Sequence, residues 1–189
     1  MARMPLPPRD GRCSVSVNSR GLTLIELSVT LAVVAVLSAL AVPSYHGLMK
    51  RQRVDAAMHL LTSHLASARV SAITYNTPTV VCPSNGDGIC RQDSDWSVGW
   101  LTFRDPDGNR QPDESIDQYR NDPAPRHPAL QILSTAGRRH VRYQPNGLSG
   151  GNNLTLRICY EGKVEGLVVV NNTGRIRSSR AQENTPCTP

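Results

Sequence analysis

Gly21-Leu22-Thr23-Leu24-Ile25-Glu26 opens an apolar run that continues to Val42, and Glu26 is the only charge in it. A carboxylate placed at the centre of a membrane helix costs about 2.5–3.5 kcal/mol on insertion scales, so even near a helix end it needs a reason. The run is long enough to span a bilayer core, which takes about 20 apolar residues. Ahead of it stand Arg3, Arg9, Arg12 and Arg20 against Asp10 alone. That asymmetry places the N-terminus in the cytoplasm and everything after Val42 across the membrane. A secretory signal peptide competes, with a basic start, an apolar core and Ala39-Leu40-Ala41 as a cleavage site. It explains the arginines but neither Glu26 nor the helical pattern that continues beyond.

Gly21 followed by Leu-Thr-Leu-Ile-Glu resembles the class III leader site of type IV pilins and pseudopilins. The resemblance implies that a prepilin peptidase cuts after Gly21 and that Leu22, in place of the usual Phe, becomes the N-methylated first residue. Glu26 is then the fifth mature residue, and Pro43 falls at position 22, where the family often kinks its helix. In that family the acid is thought to pair with the N-terminal ammonium of a neighbouring subunit. A buried charge is tolerated when an opposite charge meets it, which makes Glu26 an assembly residue.

Beyond Pro43 the helical pattern resumes. Val54, Met58, Leu61, Leu65, Ala68 and Ala72 recur at steps of four and three, an apolar stripe on one face. A helix from Leu22 to about Ile73 would be about 78 Å long. No second helix of comparable strength follows, so its partner is expected to be a sheet. Strands are predicted over residues 77–82, 98–103, 140–143, 154–160, 166–170 and 174–177. Leu154, Leu156, Ile158 and Tyr160 alternate with Thr155, Arg157 and Cys159, the pattern of a half-buried antiparallel strand. Pro145-Asn146-Gly147 and Asn171-Asn172-Thr173-Gly174 are turn signals, because Asn and Gly tolerate positive φ. Residues 105–128 read as a mobile loop. The organisation is a leader (1–21), a transmembrane half-helix (22–42), a soluble half-helix (43–75) and a β-rich head (76–189). The class is α+β, and the resemblance implies the type IV pilin fold: a long N-terminal helix packed on a small antiparallel sheet.

Cys13 would leave with the leader, so Cys82, Cys90, Cys159 and Cys187 remain. Three pairings are open to them. Cys82–Cys90, closing a short loop, with Cys159–Cys187, pinning the tail to the sheet, is preferred. The periplasm favours disulfides, and a zinc site lacks the close C-x2-C pairing it would need. No metal or cofactor is expected.

Signatures of enzymes fail on context. Gly147-Leu148-Ser149-Gly150-Gly151 matches a nucleophile elbow, but a strand follows where that motif needs a helix. Asp105-Pro106-Asp107-Gly108-Asn109 has its glycine two positions early for a calcium loop. His59 and His64, five apart, do not share a helical face, and His46, His127 and His140 lack ligand-like neighbours. The chain reads as a non-enzyme.

Charge is the remaining signal. Removing the leader takes four Arg and Asp10 from a chain of net charge +6, leaving +3. From Arg138 onward eight basic residues face three acidic ones. If 174–177 is extended, Arg175 and Arg177 share a face about 6.6 Å apart while Ile176 points to the core. That spacing suits successive phosphates, although most arginines simply solvate an outer strand face. A pilin-type N-terminus, a short β domain and a terminal Gly174-Arg175-Ile176-Arg177 resemble the FimT/GspH group of minor pilins and pseudopilins. FimT-like members are associated with capture of double-stranded DNA in natural transformation through such a G-R-x-R element. The resemblance implies Gly174, Arg175 and Arg177 as the DNA site, and the basic charge of the C-terminal third adds Arg180, Lys163 and Arg157. GspH-like pseudopilins of type II secretion share the fold without a nucleic-acid ligand. The implied partners are DNA, other pilins, the prepilin peptidase and the inner membrane. The implied location is a single-pass inner-membrane protein with a periplasmic head, later a pilus subunit at the cell surface.

Overall fold

The computed structural model describes residues 21, 23–151, 153–182 and 185–188. The leader apart from Gly21, and the methylation position Leu22, lie outside the described residues. The chain divides into two compact units, 1–44 and 45–189.

In the first unit, helix α1 (Leu24–Thr74) begins. Thr23 caps it: its Oγ1 accepts the Glu26 N–H at 3.3 Å, and its carbonyl accepts the Leu27 N–H. Glu26 therefore stands in the first turn, where a carboxylate is favoured by the helix dipole. Leu24, Ile25, Val29, Leu31, Val33 and Leu37 are all exposed. Among the described residues no helix is long and apolar enough to cross a membrane. The run 22–42 includes residues outside that description.

The second unit carries two antiparallel four-stranded sheets. The strands are β1 (Thr79–Pro83), β2 (Gly99–Arg104), β3 (Gln118–Pro123), β4 (Leu130–Ser134), β5 (Val141–Tyr143), β6 (Leu154–Tyr160), β7 (Lys163–Val170) and β8 (Ile176–Arg180). One sheet runs β3-β2-β1-β5, the other β4-β6-β7-β8. Every residue of the predicted helical stripe from Val54 to Ala72 is buried, in one cluster with Trp96, Trp100, Ile132, Leu156, Ile158 and Val168. The helix approaches the second sheet across Gly166, where a Cβ would stand 2.3 Å from Met58 Sδ. On β1, Val81 joins this main core while Val80 and Cys82 face a second cluster with Cys90, Leu101 and Phe103. Both faces of β1 are thus covered, which is why it reads as a continuous apolar run.

Two disulfides close the chain, Cys82–Cys90 and Cys159–Cys187. These are the pairs the sequence favoured. The expectation of a single mobile loop over 105–128 is corrected: the segment holds a 3-10 turn (Ser115–Asp117) and β3. Strand β3 is polar because it is a sheet edge with much of its surface in water, and its Pro123 is tolerated at such an edge. Strand β4 was not foreseen at all.

Candidate nucleic-acid interface

The G-R-x-R element begins in a tight turn, not in a strand. Gly174 N–H closes on the Asn171 carbonyl at 2.9 Å, and the Asn171 side chain accepts the Arg175 N–H at 2.9 Å. Gly174 has φ of +73°, a conformation that side-chain-bearing residues rarely adopt. The strand therefore starts at Ile176, two residues later than the sequence suggested, and Arg175 projects from the turn itself.

A second turn, Gln144 to Gly147, lies beneath the first, and helix α1 ties the two together. Arg69 donates from Nε to the Gly147 carbonyl at 2.9 Å and from Nη2 to the Thr173 carbonyl at 3.1 Å. Ser149 N–H adds a bond to the Asn172 carbonyl. Below them Tyr143 is fully buried, its hydroxyl without a partner among the described residues. Burial pushes its phenol up, against the opposing charge of Arg69. The turn that carries Arg175 is consequently fixed from three directions.

Arg175 and Arg177 are exposed, and among the described residues no ion pair or side-chain hydrogen bond engages either guanidinium. Ile176 between them packs on the core. Arg177 is opposite Val169 on β7, and Val169 is opposite Thr155 on β6. Arg157, two residues along β6, shares that outward face. Strand spacing puts it roughly 12 Å from Arg177. One of its guanidinium nitrogens is bound to the Thr188 carbonyl at 2.9 Å.

The remaining two candidates lie elsewhere. Arg180 pairs with Gly166 in the ladder and its Nη2 meets Asp55 Oδ1 of the helix at 2.5 Å. Its charge is already answered. Lys163 starts β7, seven residues from the Val170 end, or roughly 23 Å along the strand from the turn. The structure thus joins Gly174, Arg175, Arg177 and Arg157 and separates Arg180 and Lys163 from them. Arg69 and Asp55 are the neighbours of the candidate residues that sequence reasoning missed. Nothing in a helical pattern signals contacts at separations of 78, 104 and 125 residues.

Residues 57–174 match the family described as type II transport protein GspH, and residues 17–42 match the prokaryotic N-terminal methylation motif. The family match ends at Gly174, so the arginines that follow lie beyond it. Two crystal structures of the Pseudomonas aeruginosa (strain PAO1) type IV minor pilin FimU share the fold at 17% identity. One gives a TM-score of 0.52 over 66% of this chain and 91% of that one; the other gives 0.55 over 73% and 95%. No curated protein matches the chain.

Proposed function

The chain belongs to the GspH family of type II transport proteins, and from that premise we propose that it is a minor type IV pilin that holds double-stranded DNA without sequence preference. The observation that carries this reading is the pair of guanidinium groups at Arg175 and Arg177, without partners among the described residues, on a turn clamped by Arg69. Arginine suits phosphate because its planar fork can donate two parallel bonds and is less hydrated than an ammonium. Pre-setting the turn lowers the ordering cost of each contact.

The prepilin peptidase cuts after Gly21, Leu22 is methylated, and residues 22–42 anchor the chain in the inner membrane with the head in the periplasm. The two disulfides suit that oxidising compartment. Glu26 meets the ammonium of a neighbouring subunit when the filament forms.

A second reading is favoured by one observation: the family match stops at Gly174, so the arginine pair is no part of the shared pattern. On that reading the chain is a structural pseudopilin of a secretion system with no DNA ligand. One experiment separates them. The full chain in uncharged detergent, mixed with duplex DNA of arbitrary sequence at low salt, should retard the duplex. Arg175→Gln with Arg177→Gln should abolish the shift. Absence of a shift for the native protein at low salt would leave the pseudopilin reading.

A further inference from the structure

On the face of the first sheet turned away from the main core, three loops enclose a cleft of about 320 Å³. That lies within the ~300–1,000 Å³ of small-molecule sites. The Cys82–Cys90 disulfide lines it on one side, Arg110 on a second, and Arg139 with His140 on a third. The loops are fastened to each other. The Gln111 side chain accepts the Cys90 N–H at 3.0 Å and donates to the Cys90 carbonyl at 3.3 Å. Asp105, whose side chain is fully buried, accepts the Arg110 N–H at 3.1 Å and Arg142 Nε at 2.9 Å.

Arg110 is held there at φ of +65°, one of only three non-glycine residues with positive φ among those described. Such strain persists where the surroundings impose it, and it concentrates at binding sites. Its guanidinium has no ion pair among the described residues; that of Arg139 has a long contact to Gln92 Oε1 at 3.4 Å and feels the carboxylate of Asp93. Arg91, also on the wall, is fully used by Asp93 and Asn85. No carboxylate lines the cleft among the described residues. His140 sits in this positive surrounding. Its imidazole is held below its ordinary pKa first by burial and then by Arg110, with Arg138 and Arg142 adding and Asp105 opposing.

We propose that this cleft binds one phosphate group, presented either by a small phosphorylated molecule or by a nucleic-acid backbone. Donors reach it from separate segments, Arg110 from one loop and Arg139 with His140 from another. That suits a tetrahedral phosphate group with acceptors in several directions, whereas a planar carboxylate is satisfied by a single arginine fork. A bound phosphate anion would also oppose the field of the arginines at His140 and favour its protonated form. The inference is independent of the Arg175–Arg177 reading.

The test follows the imidazole proton of His140 by NMR in the full chain in uncharged detergent, assigned with His140→Gln. Pyrophosphate should raise the His140 titration midpoint relative to sodium chloride of equal ionic strength. Arg110→Gln with Arg139→Gln should remove that rise and weaken pyrophosphate binding about tenfold or more, since two charge-assisted contacts are lost. An equal midpoint in pyrophosphate and chloride would overturn the proposal. So would a rise that survives the double substitution, or one that glutarate reproduces in full. Adding duplex DNA to the pyrophosphate complex identifies the source. Displacement assigns the phosphate to a nucleic-acid backbone, and retention assigns it to a small molecule. The pyrophosphate effect should persist in the Arg175→Gln, Arg177→Gln protein, so failure here and failure of the DNA reading are distinguishable.

Discussion

Gly174 lies directly under the carbonyl of Gly147: a Cβ at 174 would stand 2.1 Å from that oxygen. Two turns that are 27 residues apart in sequence thus meet backbone to backbone. The contact has no room for a side chain, and φ of +73° would strain one in any case.

Gly174→Ala should therefore be costly at this buried turn position. The left-handed conformation alone costs about 1–2 kcal/mol, and the clash adds to it. For a head of this size, about 2–4 °C of Tm is lost per kcal/mol. Calorimetry should show a fall of at least ~4 °C, and a Tm unchanged within error would mean that the two turns separate easily.

The clamp on those turns gives a second test. Arg69→Lys keeps the charge but replaces a fork by a single ammonium, which cannot reach both carbonyls in the same geometry. Amide exchange at Gly174 and Arg175 should accelerate while the sheet interior stays protected. DNA retardation should weaken, although net charge is unchanged. Equal exchange in both proteins would show that the turns hold without the helix.

The helical stripe and β6 were legible because apolar periodicity records burial on one face. Strand β3, Gln-Tyr-Arg-Asn-Asp-Pro, carries no such record, since an edge strand is held by its backbone ladder to β2. The boundary of β8 shifted because Ile176-Arg177-Ser178-Ser179-Arg180 has one apolar residue to mark a face. At the candidate site the arginine pair was legible, but its fixation was not. Arg69 looks like any charge beside a stripe until the turns are in place. The spacing of His59 and His64 says only that they do not share a helical face, yet His64 is buried and accepts the Trp100 indole N–H at 2.6 Å on Nδ1.

That histidine makes stability depend on pH. Burial is the largest influence on His64 and lowers its pKa; Asp122 opposes it, and Arg120 adds to it. His140 is lowered in the same direction. A neutral-favouring native state binds fewer protons than the unfolded chain, so stability rises with pH across the window between the two pKa values. It should be fully present above the ordinary value of about 6.5 and be lost as pH falls from there toward the lowered native values. Thermal scans from pH 7.5 to 5 should show Tm falling, with a shallower fall in His64→Gln. A Tm that rises on acidification would contradict the assigned direction.

The disulfides should rank by loop length. The Cys159–Cys187 bridge spans 28 residues and Cys82–Cys90 spans 8. Loop-closure entropy gives about 3.6 kcal/mol for the first and about 2.5 for the second. Replacing each pair by serine and unfolding in urea should reproduce that order. Losing Cys159–Cys187 should also release the Thr188 carbonyl from Arg157. The reverse ranking would mean that the short bridge holds more than its own loop, as the Gln111 contacts to Cys90 could cause.

Salt dependence should apportion DNA binding among the arginines. Each phosphate neutralised contributes a slope of about −0.9 in log K against log salt. Arg175 and Arg177 are unpaired among the described residues, so the native slope should be near −2, approaching −3 if Arg157 leaves Thr188 to join them. Affinity at low salt should be micromolar or weaker, fading by physiological ionic strength unless several subunits engage one duplex. Arg175→Gln with Arg177→Gln should flatten the slope by about 2 without changing Tm, because both side chains are exposed. Arg180→Gln should change it by far less than one contact, since Asp55 already holds that guanidinium. Arg51→Gln, on an exposed helix position remote in sequence from the turn, serves as the control and should leave the slope unchanged. If Arg180→Gln flattened the slope as much as Arg175→Gln, the duplex would be breaking the Asp55 pair, and the interface would extend along β8 toward the helix.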